Sequence, residues 1–517
     1  MPAFHVVVLA TLLLQAAPPE KNATPSPREK ARELLDSAFD AAPGAQPEVA
    51  AMALMRVGEN YEVLDRSKAL EGLQRAFSAA AGIPPGEEPR RERAQSQIAA
   101  TTAPVSLPDA VTMLKQIVPS VAGALLDEDP RQPAIDAVVA RLLEKKQFDE
   151  AIDLMNSVGA TGQYPFAAAG QIFDKLPRDD VRRPAIFAYA LSAYTLRPAE
   201  AFGDFLVKRW KEIPKSTAEA SVNQVTAHIL SLKDGDLNET LSAEKGSVTL
   251  HGRQNVELFR ILHVVRAIDP KRADEILDRR PELKAALDRF PKGPEDMGQL
   301  GNSARSDGGD TSAAGARGSE MGKAIAQLEA LEKEMGDSET PESQRKGLLR
   351  SLEIVRALKA PAVRLELLSG IIAEAAAVDP GTAESVLSEC MDLLKETKEP
   401  QLRAQAWAHI AEAAHAVKND KLAREALDHA FDDAEELYKL DTDADEPNPA
   451  PRDEWPSTNA YRHIVISGVK VFGVGADTLL TRIADRDLAV FARVEIAQAL
   501  LERPHESWMT SSRKTKN

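Results

Sequence analysis

The sequence predicts an all-α protein, built as an α-solenoid of helical hairpins in two segments that a Gly/Ser-rich linker joins. Aromatic residues make up only 5% of the 517 residues, too few for the strands of a typical β-sandwich or barrel. Ala, Leu, Glu and Arg, which favour helices, are abundant instead. Short helical motifs also recur at intervals of about 38 to 40 residues, a period typical of helical-hairpin repeats.

The first element is an uncharged apolar run at residues 4–14, which small residues at Ala16 and Ala17 follow. Its length matches the hydrophobic core of a secretory signal and is well short of the roughly 20 residues that span a bilayer. We therefore expect a signal peptide at 1–17 and an exported protein, periplasmic or extracellular. An uncleaved anchor and a buried first helix are the alternatives. No membrane span is expected in the mature chain.

Helix-forming sequence then falls into two segments, 28–290 and 321–503. Between them, residues 293–322 contain eight of the 28 glycines and four serines. This composition is typical of a flexible linker, which we place at 291–320. The last residues, 504–517, are expected to form a disordered tail.

Three shorter stretches interrupt the helical pattern. Residues 82–108 and 441–457 are rich in proline and charge and predict long loops between helices. Strand signals are scarce, and the best one is Val248–His251 between two glycines. It predicts a short hairpin arm or an irregular loop.

Two helical motifs repeat along the chain. Residues 31–42 and 423–434 share nine identities in twelve positions although they lie 392 residues apart. The shared Ala, Leu and Phe positions fall on one side of a helix, with Ala where a neighbouring helix must come close. A second motif, Ile-Ala-Glu/Gln-Ala, begins at Ile372, Ile410 and Ile496. It precedes a turn or the end of the chain, so each unit is predicted to be helix, turn, helix.

These units resemble the tetratricopeptide repeat. The resemblance lies in Trp407-x2-Ile410-Ala411-x2-Ala414 followed by Ala423-x3-Leu427-x2-Ala430-Phe431, in Leu54-x2-Val57-Gly58-x2-Tyr61, and in Ala31, Leu35, Ala38, Phe39 and Pro43. It covers about a quarter of the chain and implies divergent tetratricopeptide-like or HEAT-like hairpins. In such folds the inner face of the first helices binds peptides or other proteins.

The residues that would line this inner face form a polar stripe beside the apolar stripe of Trp407 and Ile410. At 100° per residue, Gln405, Glu412 and His415 fall on that stripe, and we take them as the candidate groove residues. The sequence His409-Ile-Ala-Glu-Ala-Ala-His415 has carboxylate and imidazole three residues apart, but it lacks the spacing of a zinc motif. We therefore predict no metal ligand here.

No other motif predicts chemistry. Asp441–Glu446 begins like a calcium-binding loop, yet it lacks the glycine and the closing glutamate of an EF-hand. Gly473-Val-Gly475 imitates the start of a dinucleotide-binding motif inside a helical repeat. Cys390 is the single cysteine and sits at a small apolar helix position, which predicts a buried thiol. We therefore expect no catalytic residues, no metal and no cofactor.

The net charge of the chain limits the kinds of partner that we expect it to bind. Sixty-four Lys and Arg residues against 80 Asp and Glu give a formal net charge of -16, and no long basic stretch exists, so nucleic acid is not expected as a partner. The sequence favours a non-enzymatic exported repeat protein that binds a basic or neutral protein or peptide. The alternative is an α/α-type hydrolase or lyase with dispersed carboxylates as acid and base. The oligomeric state is not predicted.

Overall fold

A computed structural model describes residues 25–85, 89–119, 129–233, 238–243, 245–297, 313–335, 340–443, 448, 450 and 452–503. The predicted signal peptide 1–17 and tail 504–517 lie outside these residues, as do 298–312 of the predicted linker. The described residues are overwhelmingly helical and contain one two-stranded sheet. The all-α prediction is therefore confirmed.

The first predicted segment holds fourteen of the described α-helices, each of 9 to 17 residues. They are α1 Pro27–Ala41, α2 Pro47–Tyr61, α3 Arg66–Ala80, α4 Arg90–Val105, α5 Leu107–Gln116, α6 Gln132–Glu144, α7 Phe148–Thr161, α8 Phe166–Lys175, α9 Arg182–Leu196, α10 Glu200–Arg209, α11 Lys215–Ser231, α12 Arg253–Ile268, α13 Pro270–Asp278 and α14 Pro281–Arg289. Strands β1 (Asn238–Ala243) and β2 (Gly246–His251) pair antiparallel between α11 and α12. The hairpin that Val248–His251 predicted is thus confirmed.

The remaining described helices belong to the linker region and the second segment. They are α15 Pro294–Met297, α16 Ala313–Met335, α17 Pro341–Arg356, α18 Pro361–Val378, α19 Pro380–Glu396, α20 Pro400–Ala416, α21 Asp420–Asp441, α22 Pro456–Phe472 and α23 Arg486–Leu500, with a 3₁₀ segment Gly473–Arg482 before α23. Two expectations need correction. Residues 294–297 and 313–320, placed in the linker, are helical, and the predicted loop 82–108 contains α4. Helix α4 occupies the stretch from Arg90 onward, and its only internal proline, Pro104, lies one residue before the helix ends at Val105.

Prolines and short polar residues define where these helices begin. Nine of the longer helices start on a proline, which suits the first turn because its missing N–H has no helical partner there. Ser26 forms a capping box with Glu29, and Asp485 accepts from the backbone N–H of Leu488. The 33 prolines of the chain are therefore compatible with an all-α fold.

The repeated alanine positions lie where the helices pack. Ala31 and Ala38 of α1, and Ala423 and Ala430 of α21, are fully buried. The ring of Phe431 is buried as well, whereas that of Phe39 is half-buried under the guanidinium of Arg75, 4.3 Å from the ring centre. The small side chains let neighbouring helices come close, as the sequence pattern predicted.

Six helices contact one another in sequence, and we call them the first-helix row: α18, α20, α22, α23, α2 and α4, in that order. Four of them pack on the helix that follows in the chain, namely α18 on α19, α20 on α21, α2 on α3 and α4 on α5. The order of contacts in this row passes from one end of the chain to the other, because α23, near the C-terminus, contacts α2, near the N-terminus.

The hairpin at this crossing is made from both ends of the chain. Helix α23 has no described helix after it and α1 has none before it, and the two pack together as first and second helix. Lys30 of α1 also forms a 2.6 Å ion pair with Asp477 of the 3₁₀ segment, and Arg503 donates to the carbonyl of Glu59 in α2. The motifs of residues 31–42 and 496–499 are thus two halves of one repeat unit.

One described stretch, Pro456–Arg482, is long and apolar enough to cross a bilayer by length and composition alone, with a mean hydropathy of 1.5 and a third of that window buried. Core helices of globular proteins share these properties, so a single such helix is weak evidence for a membrane. In the fold it packs against α20, α21 and α23, and its Arg462 and Lys470 pair with carboxylates of neighbouring helices.

The pairing of the chain ends predicts that damage to α1 loosens α23. Leu35 is fully buried in α1, so Leu35→Ala is expected to lower the free energy of unfolding by about 2–4 kcal/mol. Hydrogen–deuterium exchange should then show lost amide protection in residues 486–500. The control is Leu440→Ala, whose side chain is 58% exposed and whose loss should leave that protection intact. Equal protection of 486–500 in both variants would contradict the pairing.

Candidate functional site

A polar cluster lies where α18, α20 and α22 meet within the first-helix row. Glu412 of α20 is buried, and its two carboxylate oxygens accept from Ser467 Oγ at 2.5 Å and Lys470 Nζ at 2.6 Å, both on α22. Each carboxylate oxygen of Glu412 therefore accepts a hydrogen bond from a donor on α22. Glu412 joins helix α20 to helix α22.

Two imidazoles lie beside this carboxylate. The rings of His409 on α20 and His463 on α22 meet edge to face with centres 6.4 Å apart, and His409 Nδ1 is 3.4 Å from Ser369 Oγ of α18. Burial lowers the pKa of His409. Surrounding protein, and then the neighbouring His409 and Arg462, lower the pKa of His463 to about 4. Both rings are accordingly neutral near pH 7.

His463 is exposed to solvent, so the edge-to-face pair of His409 and His463 lies at the surface of the first-helix row. Ile466 and Lys470 follow it on α22 at helical spacing and are half-buried and exposed, respectively.

At the next contact between helices of the first-helix row, a buried carboxylate lies between two guanidinium groups. Glu495 of α23 is 2% exposed in its side chain, and its Oε1 accepts from Arg56 of α2 and Arg462 of α22, each at 2.8 Å. Burial lowers the pKa of Arg56, and the charge of Glu495 opposes that effect. The three side chains join three first helices from both ends of the sequence.

The three candidate groove residues do not act as one group. Glu412 contacts α22 inside the row, as described above. His415 lies in the last turn of α20, and its Nδ1 is 2.9 Å from Oδ1 of Asp420, the first residue of α21. Gln405 is half-buried on α20. The structure therefore brings Glu412 together with His409 and His463 and places His415 at a different site.

A second titratable cluster lies in the first segment between α10 and α12. Glu257 of α12 is hydrogen-bonded to Glu200, the first residue of α10. Arg260 and Arg253 flank the pair, each with a nitrogen 3.3 Å from a Glu200 oxygen. Two carboxyl groups this close repel each other when both are ionised, and this repulsion favours the state in which they share one proton.

The pair divides the proton unequally. Burial, and then the charge and hydrogen bond of Glu200, raise the pKa of Glu257 to about 7. Burial opposes ionisation of Glu200, but the bond from Glu257 and the two arginines lower the pKa of Glu200. Near neutral pH one group is an acid and the other a carboxylate, an arrangement that can carry acid–base chemistry.

The other chemistry-bearing residues have structural surroundings. Cys390 is fully buried in α19, as the sequence predicted, and burial raises the pKa of its thiol to about 12. Asp441 is buried and accepts from Asn448 and from the backbone N–H of Ser457, while residues 444–447 of the acidic loop lie outside the description. Within the described part of the chain, no three His, Cys, Asp or Glu residues converge as a metal site.

Sequence patterns could not have found most of these residues. Arg56 and Glu495 lie 439 positions apart, and Glu412 meets Ser467 across 55 positions. His463 and Glu257 stand in ordinary helical sequence, and only the contact of separate helices makes them unusual. The spacing of His409 and Glu412 was the one local signal, and it predicted a binding groove rather than the contacts of Glu412 with Ser467 and Lys470.

No protein-family model matches the chain, and a search of curated proteins gives no match either.

The buried carboxylate of Glu495 should be the main source of stability for the contact between α2, α22 and α23. Glu495→Gln leaves two guanidinium groups without their counter-charge, and we expect a loss of about 3 kcal/mol in the free energy of unfolding at pH 7. Urea unfolding measures it, with Glu384→Gln on the exposed face of α19 as the control. Equal free energies of unfolding for the two variants would show that the contact of Glu495 with Arg56 and Arg462 contributes nothing to stability.

The carboxyl pair predicts a pH dependence with a definite sign. The folded pair keeps a proton that the unfolded chain releases, so its contribution to stability is full below pH 4.5 and falls as the pH rises to about 7. Glu257→Gln keeps a donor to Glu200 at every pH. This variant should gain about 2 kcal/mol over the wild type between pH 5 and pH 8 in urea unfolding.

The control for this titration is Glu275→Gln, an exposed substitution on α13 that should follow the wild type at both pH values. A gap between Glu257→Gln and the wild type that stays constant from pH 5 to pH 8 would contradict the shared proton.

Proposed function

We propose that the protein is an exported, non-enzymatic α-solenoid of helical hairpins that binds an extended segment of another protein or peptide. Binding takes place on the exposed face of the first-helix row, which we call the first-helix face and define by Gln405, His409, His463, Lys470 and Arg493. The observation that carries the proposal is the ordered contact of the six helices of that row, with His463 and Lys470 exposed on it.

The packing order supports the solenoid. The six helices of the first-helix row contact one another in order, and α19, α21, α3 and α5 each pack on the row helix that precedes them in the chain. An array of this kind leaves one face of the first helices open along its length, a shape that suits an extended chain. In space the array continues from segment 321–503 into segment 28–290 through the α23–α1 hairpin. The linker would then join the two distant ends of the array.

The chemistry of the face supports a peptide ligand. Its exposed and half-buried side chains are neutral imidazoles, an amide and two cations, with small residues such as Gly370 and Ala489 between them. Small residues let a backbone approach closely, and the amide and cations offer donors to backbone carbonyls. Burial lowers the pKa of Arg493, so an acceptor from a ligand would stabilise its charge. The net charge of -16 still favours a basic or neutral partner at long range.

Peptide selection tests this function. Peptides from a random display library, selected on the purified protein, should lose at least tenfold in affinity for the double variant His463→Glu/Arg493→Glu when titrated calorimetrically. The control is Lys271→Glu/Lys284→Glu, which changes exposed residues of α13 and α14. If the selected peptides bind both double variants equally, the first-helix face is not the binding site.

The alternative is an α/α-type hydrolase or lyase, and the shared proton of Glu200 and Glu257 is the observation that favours it. A general acid with a pKa near 7 beside an ionised carboxylate is suited to proton transfer at neutral pH. The Glu257→Gln variant separates the two functions, because it would abolish turnover by such a pair while leaving peptide binding at the first-helix face intact.

A further inference from the structure

Exposed apolar side chains concentrate on two neighbouring second helices, α9 and α11. Of nine large apolar side chains exposed in the described residues, four lie at or on these helices: Val181, Tyr189, Leu196 and Leu230. Leu196 is 86% exposed and Tyr189 is 53% exposed. In a chain with 28% charged residues, positions 184–196 contain none.

The exposed side of α9 is a single stripe. Ala185, Tyr189, Ser192 and Leu196 follow one another at spacings of four, three and four, and all four are exposed. The opposite side of α9 is buried against α8 and α10 through Phe187, among others. The stripe is therefore not the core side of an amphipathic helix, where an apolar stripe belongs.

The stripe continues onto α11. Gln224 Nε2 donates to Thr195 Oγ1 at 2.5 Å and joins the two helices, and Ala227 and Leu230 are exposed on α11. We call the surface of Ala185, Tyr189, Ser192, Leu196, Ala227 and Leu230 the neutral patch. A contiguous apolar surface of this kind marks an interaction site.

We propose that the neutral patch is the contact between two copies of this chain, with α9 packed antiparallel on α9 of the second copy about a twofold axis. The order of side chains along the stripe is what selects this partner. In an antiparallel pair centred between residues 190 and 191, Ala185 faces Leu196 and Ser192 faces Tyr189. Each large side chain then meets a small one, so the stripe is complementary to itself.

The contact avoids the usual cost of an interface between acidic proteins. No charged side chain of positions 184–196 would lose water, although each copy carries a net charge of -16. Helix α9 is about 22 Å long, and with α11 beside it the patch measures on the order of 500 Å² per chain. The total of about 1,000 Å² is at the lower end for specific interfaces, so the dimer should be reversible and form at micromolar concentration.

The inference is independent of the proposed function. The neutral patch lies on second helices and shares no residue with the first-helix face. A dimer would present two such faces and raise the avidity for a partner with repeated binding segments.

Sedimentation velocity on the full mature chain between 1 and 100 μM tests the dimer. The wild type should shift from the monomer mass to twice that mass, and Leu196→Asp should remain a monomer throughout. Because Leu196 is exposed, this variant should keep the wild-type melting curve. The control, Leu440→Asp, changes an exposed leucine of α21 and should dimerise like the wild type.

A cysteine variant gives a second readout. Ser192 lies close to the proposed twofold axis, so Ser192→Cys should form a disulfide-linked dimer under mild oxidation. The control Ser78→Cys, at an exposed position of α3, should not. The buried native Cys390 does not interfere. A wild type that stays monomeric at 100 μM, or a Leu196→Asp variant that dimerises like the wild type, would overturn the proposal.

Discussion

Glu495 lies buried between Arg56 and Arg462, and this contact joins helices from the two ends of the chain. A buried carboxylate is costly unless it is paired, and two guanidinium groups from different helices supply the pairing. The contact therefore fixes the positions of α2, α22 and α23 relative to one another. Both predicted segments share this contact.

The contact between the two ends of the chain also explains where the repeat motifs lie in the sequence. Among the described residues, α1 carries the second-helix motif with no first helix before it, and α23 carries the first-helix motif with no second helix after it. Each buries its alanines against the other. Since the two helices are more than 400 residues apart, this hairpin can form only when both ends of the chain are present, and such non-local contacts slow folding.

Charge is handled differently in the two halves of the molecule. Along the first-helix row, carboxylates are neutralised by arginine or lysine from the next helix, and the imidazoles remain uncharged. Between α10 and α12, two carboxyl groups share a proton instead. Positions 184–196 of α9 carry no charged residue at all. Ion pairs between helices, a titratable pair and an uncharged helix surface therefore lie at separate places.

The sequence by itself determined the helical class and the burial of Cys390, and it identified Val248–His251 as the best strand signal. Each of these depends on neighbours within a few positions, where helical and strand periodicity is visible. It missed α4, since charge and proline at the ends of that stretch hid its helical interior. It placed Glu412 on a polar stripe but not its contacts with Ser467 and Lys470. Only the tertiary structure decided those contacts, the pairing of α1 with α23 and the exposure of the α9 stripe, because the energy of such contacts depends on distances between helices that no local pattern encodes.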